Sequence, residues 1–65
     1  SMKIDIDHAM KTLPLQECQI VSLHINGELK FREIADMMGI PLGTVLWKYQ
    51  KAIMRLRSIL SGGEL

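Results

Sequence analysis

Cysteine, proline and aromatic residues are scarce in this chain of 65 residues, and each scarcity narrows what it can be. The single Cys18 has no partner for an internal disulfide. A disulfide-stapled secreted scaffold is therefore excluded, and a reducing, cytoplasmic setting is the expectation. No apolar run approaches the roughly 20 residues needed to span a bilayer, and nothing resembles a signal peptide, so no membrane partner is expected. Phe31, Trp47 and Tyr49 are the only aromatics, and no β-like alternation of useful length accompanies them. Ser1 ahead of Met2 reads as a cloning remnant and is set aside.

Chemistry is equally thin. Cys18 and His24 supply a thiol and an imidazole, but His8 is the only other histidine and no ligand-spaced set is completed, so no metal is expected. No Ser/His/Asp or Cys/His arrangement is legible, and no glycine-rich phosphate loop follows a strand. A bundle of four short helices seldom offers a substrate pocket. The expectation is a protein that is not an enzyme, with no cofactor and no small-molecule substrate.

What the chain does have is apolar mass and asymmetric charge. Apolar residues make up 48% and charged residues 23%, which reads as a globular chain of one domain. A chain this short buries only about 60% of the surface it exposes unfolded, so its stability is thin. Residues 1–38 carry Lys3, Lys11, Lys30 and Arg32 against Asp5, Asp7, Glu17, Glu28, Glu33 and Asp36. Residues 39–65 carry Lys48, Lys51, Arg55 and Arg57 against Glu64 alone. A weakly acidic body thus ends in a basic segment, which suits either a solvated helix face or contact with a polyanion.

Helical spacing recurs along the chain. A short first helix is expected from Asp5 or Asp7 to Lys11, with the aspartate as N-cap. A second follows with Pro14 in its first turn, Leu13, Ile20, Val21, Leu23 and Ile25 on its buried side, and Asn26-Gly27 as a left-handed stop. The third, "KFREIADMM", places Phe31, Ile34, Ala35 and Met38 at i, i+3, i+4 and i+7. Gly39 stops it, Pro41 drives Ile40 out of the helical region, and Thr44 is placed to satisfy first-turn N–H groups of a last helix ending near Leu60. Two helices joined by so short a turn must cross at a large angle, which is a helix-turn-helix.

At about 100° per residue, Val45, Tyr49, Ala52, Leu56 and Leu60 form one stripe of the last helix, with Ile53 and Ile59 at its borders. That stripe is the expected core side. Trp47, Gln50, Lys51, Met54 and Ser58 fall opposite, flanked by Lys48 and Arg55. Such a face suits DNA: Lys and Arg neutralise phosphates, Gln pairs with adenine edges, and apolar groups touch the thymine methyl. Trp47 has three readings: contact with DNA, contact with a partner protein, or a fold back over the first helix. Met37-Met38 reads as core filler.

The stretch from Leu13 to Arg57, "LP…IVSLHINGELKFREIADMMGIPLGTVLWKYQKAIMRLR", resembles region 4 of bacterial sigma factors, in particular the extracytoplasmic-function branch. The likeness rests on Leu13-Pro14, Glu33-Ile34-Ala35, Gly39-Ile40-Pro41, Gly43-Thr44-Val45, Ala52 and Leu56-Arg57, in order and at matching spacing. It implies an all-α, three- or four-helix domain with a C-terminal helix-turn-helix, spanning residues 2–61 with the motif at about 31–57. Residues 62–65 would be a flexible tail. It also implies that the last helix reads the −35 promoter element in double-stranded DNA, and that the domain docks on the β-subunit flap of RNA polymerase. By the same resemblance, DNA-facing positions fall on Leu46, Trp47, Lys48, Gln50 and Lys51, with Lys30 and Arg32 near phosphates. Thr44 and Arg55 complete the expected DNA-binding set. Leu46 and Trp47 stand where the family carries polar reading groups, and Cys18 where it has an arginine. Those substitutions suit a second function class as well: a protein-interaction module in which Leu46, Trp47 and Met54 anchor a polymerase subunit, an anti-sigma-like protein or a second copy. A full sigma factor also carries a promoter-melting, core-binding domain. Without one, the chain is expected to be an excised piece or a stand-alone regulator.

Overall fold

The computed structural model describes residues 8–61, and no strand occurs among them. Residues 8–11 are helical (α1), and the expected aspartate cap at Asp5 or Asp7 lies outside the described residues. The chain leaves α1 through Thr12, whose backbone N–H and side-chain hydroxyl both donate to the Ala9 carbonyl. Three further helices follow: α2 (Leu15–Ile25), α3 (Phe31–Met38) and α4 (Leu42–Leu60).

Helix α2 opens one residue later than the pattern predicts. Pro14 has ψ 148° and stands at the N-cap, outside the first turn, where its missing N–H costs no helical bond. The end of α2 also differs. Asn26 keeps a right-handed conformation with φ −82°. The left-handed residue is Glu28, at φ 56°. Gly27 is needed for space instead: a Cβ there would lie 2.7 Å from the Leu23 carbonyl oxygen. That carbonyl accepts the Leu29 N–H, so the chain must pass close by it.

Helix α3 follows its pattern. Ile34 and Ala35 are buried and Phe31 and Met38 half-buried. At its start Glu33 reaches back, its Oε1 accepting the Lys30 N–H at 2.7 Å. Lys30 has no acceptor with which to return the bond, so only half of a capping box forms. At its end Gly39 takes φ 69°, and the Ala35 carbonyl accepts both the Gly39 and Ile40 N–H groups. Pro41, at φ −62° and ψ 148°, then starts α4. Thr44 makes no side-chain cap; its backbone N–H donates to the Pro41 carbonyl at 3.0 Å, so the backbone itself tightens the first turn.

Two apolar clusters result. Ile20, Ile34, Ala35 and Val45 knit α2, α3 and the first half of α4. Leu13, Val21 and Ala52 fasten the second half of α4 beneath α2. Tyr49 packs against both. Three expected core residues are exposed: Ile25, Met37 and Leu60. Met37, expected as core filler, lies on the outer side of α3 while Met38 packs on the core. Ile25 is 55% exposed, because the last turn of α2 overhangs a groove that neighbouring helices leave unfilled. Leu60 is exposed because α4, at 19 residues, is longer than α2 and α3, with 11 and 8.

Candidate nucleic-acid interface

Helix α4 contains four cationic residues and no acidic one. Its inward stripe is consumed by the core at Val45, Tyr49, Ala52 and Leu56, which turns the opposite side to solvent. Leu46, Trp47, Gln50, Met54 and Arg55 are exposed there, while Thr44, Lys48 and Lys51 are half-buried. Nearer the N-terminus of the helix, Gly43 faces open space, with nothing within 4 Å of where a Cβ would sit. Lys30 and Arg32, the expected phosphate neighbours, are exposed at the start of α3. Helix α4 thus gathers Thr44, Leu46, Trp47, Lys48, Gln50, Lys51 and Arg55, while Lys30 and Arg32 sit on a separate element.

Trp47 is 56% exposed and belongs to neither core cluster, which sets aside a fold back onto the core. Its ring is covered by cations instead. Lys51 Nζ lies 4.0 Å from the ring centroid and Lys48 Nζ 5.9 Å, both within cation–π range. Met54 continues the apolar surface at 68% exposure.

Glu17 has a role that helical periodicity alone does not reveal. It is 3% exposed, in the first turn of α2. Lys51 Nζ lies 3.9 Å from its Oε2, and the Arg55 Nη1 lies 3.9 Å from its Oε1. These separations give charge attraction without hydrogen bonds, and Oε1 has no hydrogen-bond partner. The first turn of α2 adds the positive end of its dipole, a favourable place for an acidic side chain. The sequence signals its inward position but not its partners: Leu13, Glu17, Ile20 and Val21 fall at i, i+4, i+7 and i+8, so Glu17 occupies the apolar stripe itself. A carboxylate there demands a cation from the facing helix. Lys51 and Arg55 are therefore bound to the body of the protein as well as presented outward. Among the described residues, Lys48, Lys30 and Arg32 take part in no ion pair.

His24 is a second residue with more structure than expected. Its Nδ1 lies 2.9 Å from the Leu29 carbonyl, its ring stacks on Phe31 at 4.0 Å, and Tyr49 meets it edge-on at 5.2 Å. Phe31 and Tyr49 are themselves 4.8 Å apart. These rings lock the loop after α2 to the start of α3 and the middle of α4. Cys18 is half-buried and free. No group of three or more metal-ligand side chains gathers among the described residues.

The arrangement is α3 followed by a turn at Gly39–Pro41, then a basic helix whose outward side is open. That is how a helix-turn-helix offers its second helix to a groove. No helix among the described residues is long and apolar enough to cross a membrane. No curated protein and no solved structure matches the chain. The family model described as "Sigma-70, region 4" matches residues 9–58, though as a match to the region as a whole it does not distinguish the extracytoplasmic-function branch. With that match covering all of α2 and α3 and all but the end of α4, the chain belongs to the sigma-70 region 4 family, a DNA-binding module of transcription.

Proposed function

We propose that this chain recognises a −35 promoter element by laying the first half of α4 in the major groove, and that it docks on the β-subunit flap of RNA polymerase. The observation that carries the reading is the acid-free, basic outward side of α4 behind a helix-turn-helix corner. In this reading Lys48, Lys30 and Arg32 neutralise phosphates, Lys51 and Arg55 add positive charge beside them while paired to Glu17, Thr44 supports the backbone contact, and Leu46, Trp47 and Gln50 meet base edges. It is a regulatory binding domain of the cytoplasm and performs no catalysis.

An apolar groove lined by Met10, Val21, Ile25 and Leu56 supports the docking half of the proposal. Leu56 lies nine residues after Trp47, half a turn round α4. A partner seated there would leave the outward side clear for DNA.

The test is fluorescence anisotropy with a labelled duplex recovered from a random-sequence selection, titrated at several salt concentrations. Affinity is expected to fall steeply with salt, with a slope of about −0.9 per phosphate neutralised. Lys48→Ala should weaken all duplexes alike, whereas Gln50→Ala should shift preference at one base step. An unchanged salt slope for Lys48→Ala would show that the wrong face has been assigned to DNA.

The exposure of Trp47 and Met54 favours one rival reading, a protein-binding anchor formed with Leu46. A polymerase subunit, an anti-sigma-like protein or a second copy would be the occupant. Trp47 emission separates the two. A shift with protein concentration, or with purified polymerase but not with DNA, supports the anchor.

A further inference from the structure

We infer that the Leu46–Trp47 edge of α4 reads the 5-methyl group of thymine, and that Lys51 is a positioning residue that holds the indole in place for it. This rests on the DNA-binding reading above and adds what the reading lacks, the chemistry of the base contact.

In the major groove guanine presents two acceptors, adenine an acceptor and a donor, and cytosine a donor. Leucine answers none of these, and tryptophan has a single N–H donor. Thymine is the one base with an apolar group there, its 5-methyl. Leu46 and Trp47 are adjacent in the second turn of α4, both exposed, about 100° apart on its surface. Together they make an apolar edge at the end of the helix that a helix-turn-helix directs at bases. Gln50, one turn on, is also exposed and retains an amide suited to adenine, the partner of thymine.

An exposed tryptophan ordinarily loses rotamer freedom when it binds, which costs affinity. Here the ring is already held. Lys51 Nζ sits 4.0 Å from its centroid while also lying 3.9 Å from the buried Glu17 carboxylate. A chain of charge thus runs from the α2 interior, through Lys51, to the indole face. The lysine cannot swing away without leaving Glu17, so the ring keeps one side covered and offers the rest of its surface to the groove.

The experiment uses the duplex selected from random sequence and replaces its thymines one at a time by deoxyuridine, which removes only the methyl. At one or two positions affinity should fall about fourfold, the loss expected for one buried methyl-sized group, and elsewhere it should not change. Trp47→Ala should bring the thymine-to-uracil ratio at those positions to about one, while its salt slope stays that of the unaltered chain. Lys51→Gln should shrink the ratio, and Lys51→Arg, which keeps a cation over the ring, should restore it. Helical circular dichroism confirms that each variant is folded. Uniform indifference to deoxyuridine, with sequence-specific binding intact, overturns the inference, as does a ratio unaltered by Trp47→Ala. Absence of binding to any duplex at low salt removes the DNA-binding reading itself, a distinct result.

Discussion

Glu17 is the residue on which packing and electrostatics meet. It is buried, one oxygen lacks a hydrogen bond, and both cations that answer it stand 3.9 Å away on α4. Burying a charge with partners at that distance contributes little net stability, and an apolar side chain of similar volume often does as well or better. Glu17→Met is therefore expected to leave the urea midpoint unchanged or raised. It should also release Lys51 and Arg55, strengthening binding to non-specific DNA and steepening the salt slope by up to about 0.9 for each cation that reaches a phosphate. A lowered midpoint would show that the ion pairs outweigh their desolvation. Ile34 is the opposite kind of residue, fully buried where α2, α3 and α4 converge. Ile34→Ala should cost about 2–4 kcal/mol, read from urea denaturation followed by circular dichroism. In a domain with only several kcal/mol to lose, that leaves a substantial unfolded population.

At the level of elements, the turns carry the sharpest tests. Glu28 holds φ 56°, a conformation that costs a residue with a Cβ roughly 1–2 kcal/mol. Glu28→Gly should relieve about 1 kcal/mol of this, raising the melting temperature by several degrees in a domain of this size. Gly27→Ala, one position earlier, should lower it, because the added carbon would meet the Leu23 carbonyl at 2.7 Å. The contrast between neighbours separates a need for left-handed backbone from a need for space. Residue preference makes Asn26-Gly27 a left-handed stop, yet the chain turns left-handed at Glu28. Preference says which residues tolerate φ > 0, and not which one the chain uses. The corner at Gly39-Ile40-Pro41 was legible because two strong local constraints, a left-handed glycine and a proline, act within three residues. Gly43 offers a test of function against stability. Gly43→Ala should stabilise α4 by about 0.5–1 kcal/mol, since nothing crowds the site. If the helix start lies against a DNA backbone, the same change should weaken binding in the anisotropy assay.

For the whole molecule, α2 and α4 each contribute to both clusters, and Tyr49 touches each. Unfolding should accordingly be a single transition, with helical dichroism and Trp47 emission following one curve. Excess DNA that binds the folded chain should move that curve upward as a unit. Most of this architecture is readable from the sequence, because 3.6-residue periodicity reports which way a side chain points. It is silent on what lies across from it. Ile25 and Leu60 point along apolar stripes yet find no cover, and Glu17 points inward yet needs two residues more than thirty positions away. That Leu46, Trp47, Gln50 and Arg55 would stand on the solvent side of α4 was legible from that periodicity. The attachment of Lys51 and Arg55 to the interior was not, since it depends on how α2 and α4 are juxtaposed.

The division of α4 along its length has an evolutionary consequence. Residues 45, 49, 52 and 56 hold the chain together, while Gly43, Leu46, Trp47, Gln50 and Met54 support no buried neighbour. Retargeting such a domain to a new operator therefore requires no compensating repair inside it. If the open side meets DNA as proposed, substitutions on it alter which sequences are bound, and the scaffold tolerates each trial.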